Sequence, residues 1–81
     1  MVRPEATEWL MEISGEEPEL HVRDAGGHSC IRPGHGYWQV VRNGHEVGKV
    51  PARVEDGDLE AATRDLFRVA QAIFPEIHLS P

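Results

Sequence analysis

The sequence predicts a small single-domain α+β fold ordered α-β-β-β-β-α, with an antiparallel sheet of about four strands and a C-terminal amphipathic helix packed on one face. Three observations predict it. Asn43-Gly44 separates two runs of alternating residues, a strong signal for a two-residue hairpin. Leu20 and Val22 alternate with His21 and Arg23 ahead of a glycine-rich turn, as in a half-buried strand. Leu59, Ala62, Leu66, Val69, Ala70 and Ile73 then recur at helical spacing after an acidic break.

Taken in order, residues 5–14 place Ala6, Trp9, Leu10 and Ile13 at i, i+3, i+4 and i+7, which predicts a short helix with Pro4 in its first turn and Gly15 ending it. A strand follows over 19–24 and a second over 29–32. If the loop 25–28 joins them, Val22 faces Ile31, Arg23 faces Cys30, and Leu20, Val22 and Ile31 form the inner set. The third strand, 37–42, holds Tyr37, Trp38, Val40 and Val41, residues that suit a pleated surface. Asn43 and Gly44 both tolerate the positive φ of a type I′ turn, so 45–50 returns with His45 opposite Arg42, Val47 opposite Val40 and Lys49 opposite Trp38. Pro51, without an N–H, ends that strand or marks an edge. Asp58 or Asp56 caps the last helix, 58–74, and Pro75 stops it. Phe67 and Phe74 widen its apolar stripe, and Glu76 to Pro81 read as a frayed or docking tail.

Composition narrows the function classes. At 81 residues the chain is one domain that buries only roughly 60% of its unfolded surface, too small a core for a deep catalytic cleft. Its 40% apolar and 27% charged residues are those of a soluble globule. No apolar run reaches the roughly 20 residues of a membrane span, and Met1-Val2-Arg3-Pro4 leads into charge rather than a signal-peptide core, so a cytoplasmic location without membrane contact is expected. Cys30 is the single cysteine, which rules out an internal disulfide. The net charge of −6 conceals a division: residues 1–20 sum to −5, residues 54–81 to −4, and the middle, 21–53, to +3. Acidic helices lying near a basic sheet would neutralise one another; a basic face left open would instead suit an acidic partner.

Two groups of residues bear on chemistry. His28, Cys30 and His35 lie in one glycine-rich segment and are candidate metal ligands, with His21 or His45 available as a fourth. Their spacing matches no standard zinc pattern. Against that reading, the histidines are solvated loop residues and Cys30 a small packed side chain. Cys30 as a nucleophile would need His28 or His35 as base and a third group to orient it, which the sequence does not supply. No P-loop, dinucleotide fingerprint or metalloprotease motif is present, so a non-enzymatic role without a cofactor is expected.

The second group depends on which face of the 37–50 hairpin is buried. Trp38 offers the largest apolar area, so the face with Trp38, Val40 and Val47 is expected inside. The reverse arrangement would place Trp38 on an open sheet among Arg23, Arg32, Arg42, Lys49 and Arg53, a cationic platform for nucleic acid. The leading expectation is a protein–protein interaction or regulatory module that pairs with another protein or with itself through open sheet edges. Nucleic-acid binding and a metal or thiol site in the His28–His35 segment are the alternatives.

Overall fold

A computed structural model describes residues 8–15, 17–24, 26–54 and 58–75. Five strands, β1 (Glu8–Ser14), β2 (Glu17–Asp24), β3 (Gly27–Pro33), β4 (Tyr37–Arg42) and β5 (His45–Pro51), precede one helix, α1 (Leu59–Ile73). The strands form one antiparallel sheet in chain order, each paired with its neighbour in sequence. The α+β class, the antiparallel sheet and the C-terminal helix are as the sequence predicts; the strand count is five rather than about four.

The extra strand replaces the described part of the predicted N-terminal helix. Residues 8–14 alternate Trp9, Met11 and Ile13 with Leu10, Glu12 and Ser14, so the segment satisfies a period of two as well as one of 3.6. The edge of β2 decides between them. Every residue of β1 finds a partner there, from Glu8 opposite Arg23 to Ser14 opposite Glu17. Gly15, at φ +65°, makes the tight turn rather than closing a helix. Pro18 lies inside β2 and is fully buried opposite Ile13. Residues 5–7, the alternative cap Asp56 and the tail from Glu76 lie outside the described residues.

Two registers also differ. Asp24 pairs with Gly27, so the β2–β3 turn holds two residues rather than four. Leu20 therefore faces Ile31, Val22 faces Ser29 and His21 faces Cys30. A shift of two residues preserves the faces, and Leu20, Val22 and Ile31 remain the inner set. At the Asn43-Gly44 turn both residues take positive φ (50° and 85°) and Arg42 faces His45 as expected. A bulge between Val40 and Val41 then leaves Val47 unpaired, puts Gly48 opposite Val40 and puts Val50, not Lys49, opposite Trp38. A straight ladder would drive the Lys49 ammonium toward the core, at the cost of desolvating it. The bulge carries Val50 there and sends Lys49 to the other face, over the Tyr37 ring at 4.8 Å.

One face of the sheet meets α1. Leu20, Val22, Ile31, Trp38 and Val40 pack against Leu66, Val69, Ala70 and Phe74, with Trp9, Met11 and Val50 half-buried at the flanks. Trp9 meets Phe67 edge to face at 5.9 Å, which ties β1 to the helix. Asp58 caps α1 by accepting the Ala61 N–H at 3.0 Å. The opposite face of the sheet has no described element over it.

Candidate functional site

The residues that alternate away from α1 form the open face. Cross-strand pairing sets them in rows: Glu8, Leu10 and Glu12 on β1, Glu19, His21 and Arg23 on β2, His28, Cys30 and Arg32 on β3, then Tyr37, Gln39 and Val41 beside Glu46 and Lys49. Carboxylates outnumber cations on this face. The charge is also sorted, with Glu12, Glu17 and Glu19 at the β1–β2 hairpin and Arg32 and Lys49 across β3 to β5.

At the centre of the acidic part is His21. Glu12 lies directly opposite Glu19, and Cys30 directly opposite His21, so pairing across three adjacent strands brings these four together. His21 Nε2 is 2.8 Å from Glu19 Oε1, 3.5 Å from Glu12 Oε2 and 4.0 Å from Cys30 Sγ. A carboxylate only accepts, so Nε2 carries the proton and donates it to Glu19. In the neutral ring the other nitrogen, Nδ1, then accepts from His28 Nε2–H at 3.0 Å, and the two imidazoles stack with centroids 5.2 Å apart. Burial pushes the Cys30 thiol above its usual range and the Glu19 charge adds to the rise. That setting is the reverse of the electropositive one that makes a cysteine nucleophilic.

Beside this cluster, Glu8, Trp9, Leu10, His21, Arg23 and His28 line a shallow depression of about 360 Å³ next to the free edge of β1. Leu10 (58% exposed) and Ile13 (49%) stand on opposite faces of that edge strand.

The residues predicted to bind metal part company. His28 and Cys30 lie on the open face of β3, but His35 is exposed in the β3–β4 loop at the other end of that strand. His45 faces Arg42 on the helix side of the sheet, which leaves His21 as the histidine that joins Cys30. Glu12 and Glu19 complete the cluster, and sequence reasoning missed both. A helical reading of residues 5–14 hides the pairing of Glu12 with Glu19, and a four-residue turn sets Cys30 against Arg23.

The residues predicted for nucleic acid are likewise spread over the molecule. Trp38 is 2% exposed, and its indole Nε1–H donates to Asp65 at 2.8 Å. Arg42, on the helix side, donates to Ser29 Oγ at 2.7 Å and to Asp24 at 3.0 Å. Arg53 follows β5 and gives its backbone N–H to Asp65. Arg23, Arg32 and Lys49 share the open face, where Arg32 donates to Gln39 at 2.7 Å. Asp65 is a further residue the sequence reading left unused. It sits inside the helix stripe, three residues after Ala62 and four before Val69, and that position is its signal.

Comparison of the chain with protein-family models, curated proteins and solved structures finds no match. Among the described residues no helix is long and apolar enough to cross a membrane.

Proposed function

We propose that this chain is a non-enzymatic protein-interaction module whose β1 edge takes up an extended segment of another protein as a sixth strand. The contrast between the two sheet edges carries the reading. Edge strands invite pairing unless they are blunted by bulges, lysine or proline. On β5 all three are present, in the Val40/Val41 irregularity, Lys49 and Pro51. On β1 none is, and Leu10 and Ile13 stand exposed on its two faces. A strand added there would gain main-chain hydrogen bonds, and the depression beside Leu10 would take one of its side chains. Glu8 and Glu12 favour an occupant that alternates apolar residues with lysine or arginine, and disfavour a second copy of β1, which would bring more carboxylates to the same edge.

Selection from a displayed library of random peptides tests this, followed by hydrogen exchange of the complex. Enriched sequences are expected to alternate apolar and basic residues, to slow exchange of the β1 amides, and to bind Leu10→Lys at least about 10-fold more weakly, the effect of roughly 1.4 kcal/mol. Peptides that bind L10K equally well, or leave β1 exchange unchanged, would overturn the reading. So would a library that yields no binder.

A further inference from the structure

Glu12 and Glu19 face each other across β1 and β2, an arrangement in which like charges destabilise the pair. Both lean on one imidazole. Among the described residues the ion pairs given to these two carboxylates all run to His21 Nε2, and no lysine or arginine joins them. A surface histidine–carboxylate pair accounts for Glu19 with His21. It leaves unexplained why a second carboxylate and a buried thiol converge on the same nitrogen.

A divalent cation accounts for all four. We propose that Glu19, His21 and Cys30, with Glu12 as the fourth donor, form a binding site for a zinc-class divalent transition-metal ion on the open face of the sheet. The donor atoms of Glu19, His21 and Cys30 lie within 4.8 Å of one another. Metal–donor bonds of about 2.0–2.3 Å in a tetrahedron put donors roughly 3.5 Å apart, so closure asks about 1 Å of side-chain movement. The carboxylates have that freedom: their side chains are 53% and 28% exposed for Glu12 and Glu19. The other two donors come from the paired positions His21 and Cys30 at the middle of the sheet, where the backbone is held on both sides. Thiolate, imidazole and carboxylate together suit zinc and its neighbours and do not suit magnesium or calcium, which take oxygen ligands.

His28 fits the same reading as an outer partner. A metal-bound histidine donates its second ring N–H to an acceptor that fixes its orientation. With metal on Nε2 of His21, the proton moves to Nδ1, and His28 Nε2, already 3.0 Å away and stacked, becomes the acceptor. The hydrogen bond between the rings is kept with its direction reversed. Cys30 binds as thiolate, and its proton leaves to solvent as the metal–sulfur bond forms.

Cobalt(II) titration of the whole chain, with zinc competition, is the test. One equivalent of Co²⁺ is expected to give a thiolate-to-metal charge-transfer band and the intense visible bands of a tetrahedral ion, both erased by Zn²⁺. Cys30→Ser should lose the charge-transfer band, His28→Ala should weaken binding roughly 10- to 100-fold, and His35→Ala should leave it unchanged. Circular dichroism checks that each variant folds. Alkylation of Cys30 in the unsubstituted protein gives an independent reading, since bound zinc should slow it. The proposal is overturned if no charge-transfer band develops, if the band survives in C30S, or if zinc leaves alkylation at its metal-free rate.

Discussion

Asp65 decides the fate of the largest side chain in the core. Only 7% exposed, its carboxylate accepts from Trp38 Nε1 at 2.8 Å, from the Arg53 backbone N–H at 3.0 Å and from Arg68 Nε at 2.6 Å. Arg68 is the main cause that holds its pKa down at about 2, with Trp38 and Arg53 adding to the effect against the cost of burial. The ordinary value for an aspartate, taken for Asp65 in the unfolded chain, is 3.8. Between those two values the unfolded state takes up a proton that the folded state refuses, so the contribution of Asp65 to stability falls as the pH drops from about 4 toward 2 and is constant above that window. The loss amounts to about 2 kcal/mol at one pKa unit per 1.36 kcal/mol. Urea unfolding across this range should show the slope in the wild type and a shallower one in Asp65→Asn, where no carboxylate remains at that position. At neutral pH Asp65→Ala should cost about 2–4 kcal/mol, because the indole N–H and the Arg53 N–H lose their partner inside the protein. Equal acid sensitivity in D65N and wild type would show that other carboxylates govern the transition. The residue was legible in outline, since an aspartate in an otherwise apolar stripe asks for a partner. That the partner is Trp38, twenty-seven residues earlier, is tertiary information that no local pattern holds.

At the scale of elements, the hairpins were legible where the turn residues are specific. Asn43-Gly44 set its turn because few residues accept two successive positive φ angles, and the helix was plain because six apolar residues keep one period. The β1 segment was ambiguous for a physical reason: Trp9 and Ile13 belong to both a helical stripe and an alternating one, and only the waiting edge of β2 breaks the tie. The bulge in β5 had one cue, Gly48 inside the strand, but a glycine does not fix the register; the burial of Val50 in place of Lys49 selects it. The proposed metal site depends on two such events, the pairing of β1 with β2 and the two-residue β2–β3 turn that sets Cys30 opposite His21. Asn43 links those turns. Its side-chain oxygen accepts the His28 N–H at 3.0 Å and its own N–H donates to the His28 carbonyl at 2.8 Å, so the β4–β5 turn braces the start of β3. Asn43→Gly keeps the positive φ and loses the side-chain bond, for an expected cost of about 1 kcal/mol. Asn43→Ala adds left-handed strain, for about 2–3 kcal/mol in total. Urea midpoints should rank wild type above N43G above N43A, and the reverse order of the two variants would remove the role of backbone conformation.

Across the whole molecule, burial is concentrated along a central band and thins toward both edges. Leu20, Val22 and Ile31 are fully buried and Trp38 nearly so, whereas no residue of β1 reaches that class and β5 contributes Val50 only in part. Free energies of local opening follow such differences, because opening an edge strand exposes little apolar surface while opening β3 requires the sheet to part. β1 is held to the helix side chiefly by Trp9 against Phe67 and by Met11, and on the open side it meets the His21 cluster through Glu12. Amides of β1 should therefore exchange by local opening, more than an order of magnitude faster than the paired amides of β2 and β3. Phe67→Leu keeps most of the apolar volume and loses the edge-to-face contact, worth about 0.5–1.5 kcal/mol, so β1 exchange should accelerate roughly 2- to 13-fold while that of β3 changes less. Hydrogen exchange read strand by strand measures both quantities. An equal acceleration in β1 and β3 would mean that β1 opens only when the whole sheet does; an incoming strand would then have to dock on a closed edge, with no contribution from the opening of β1 itself.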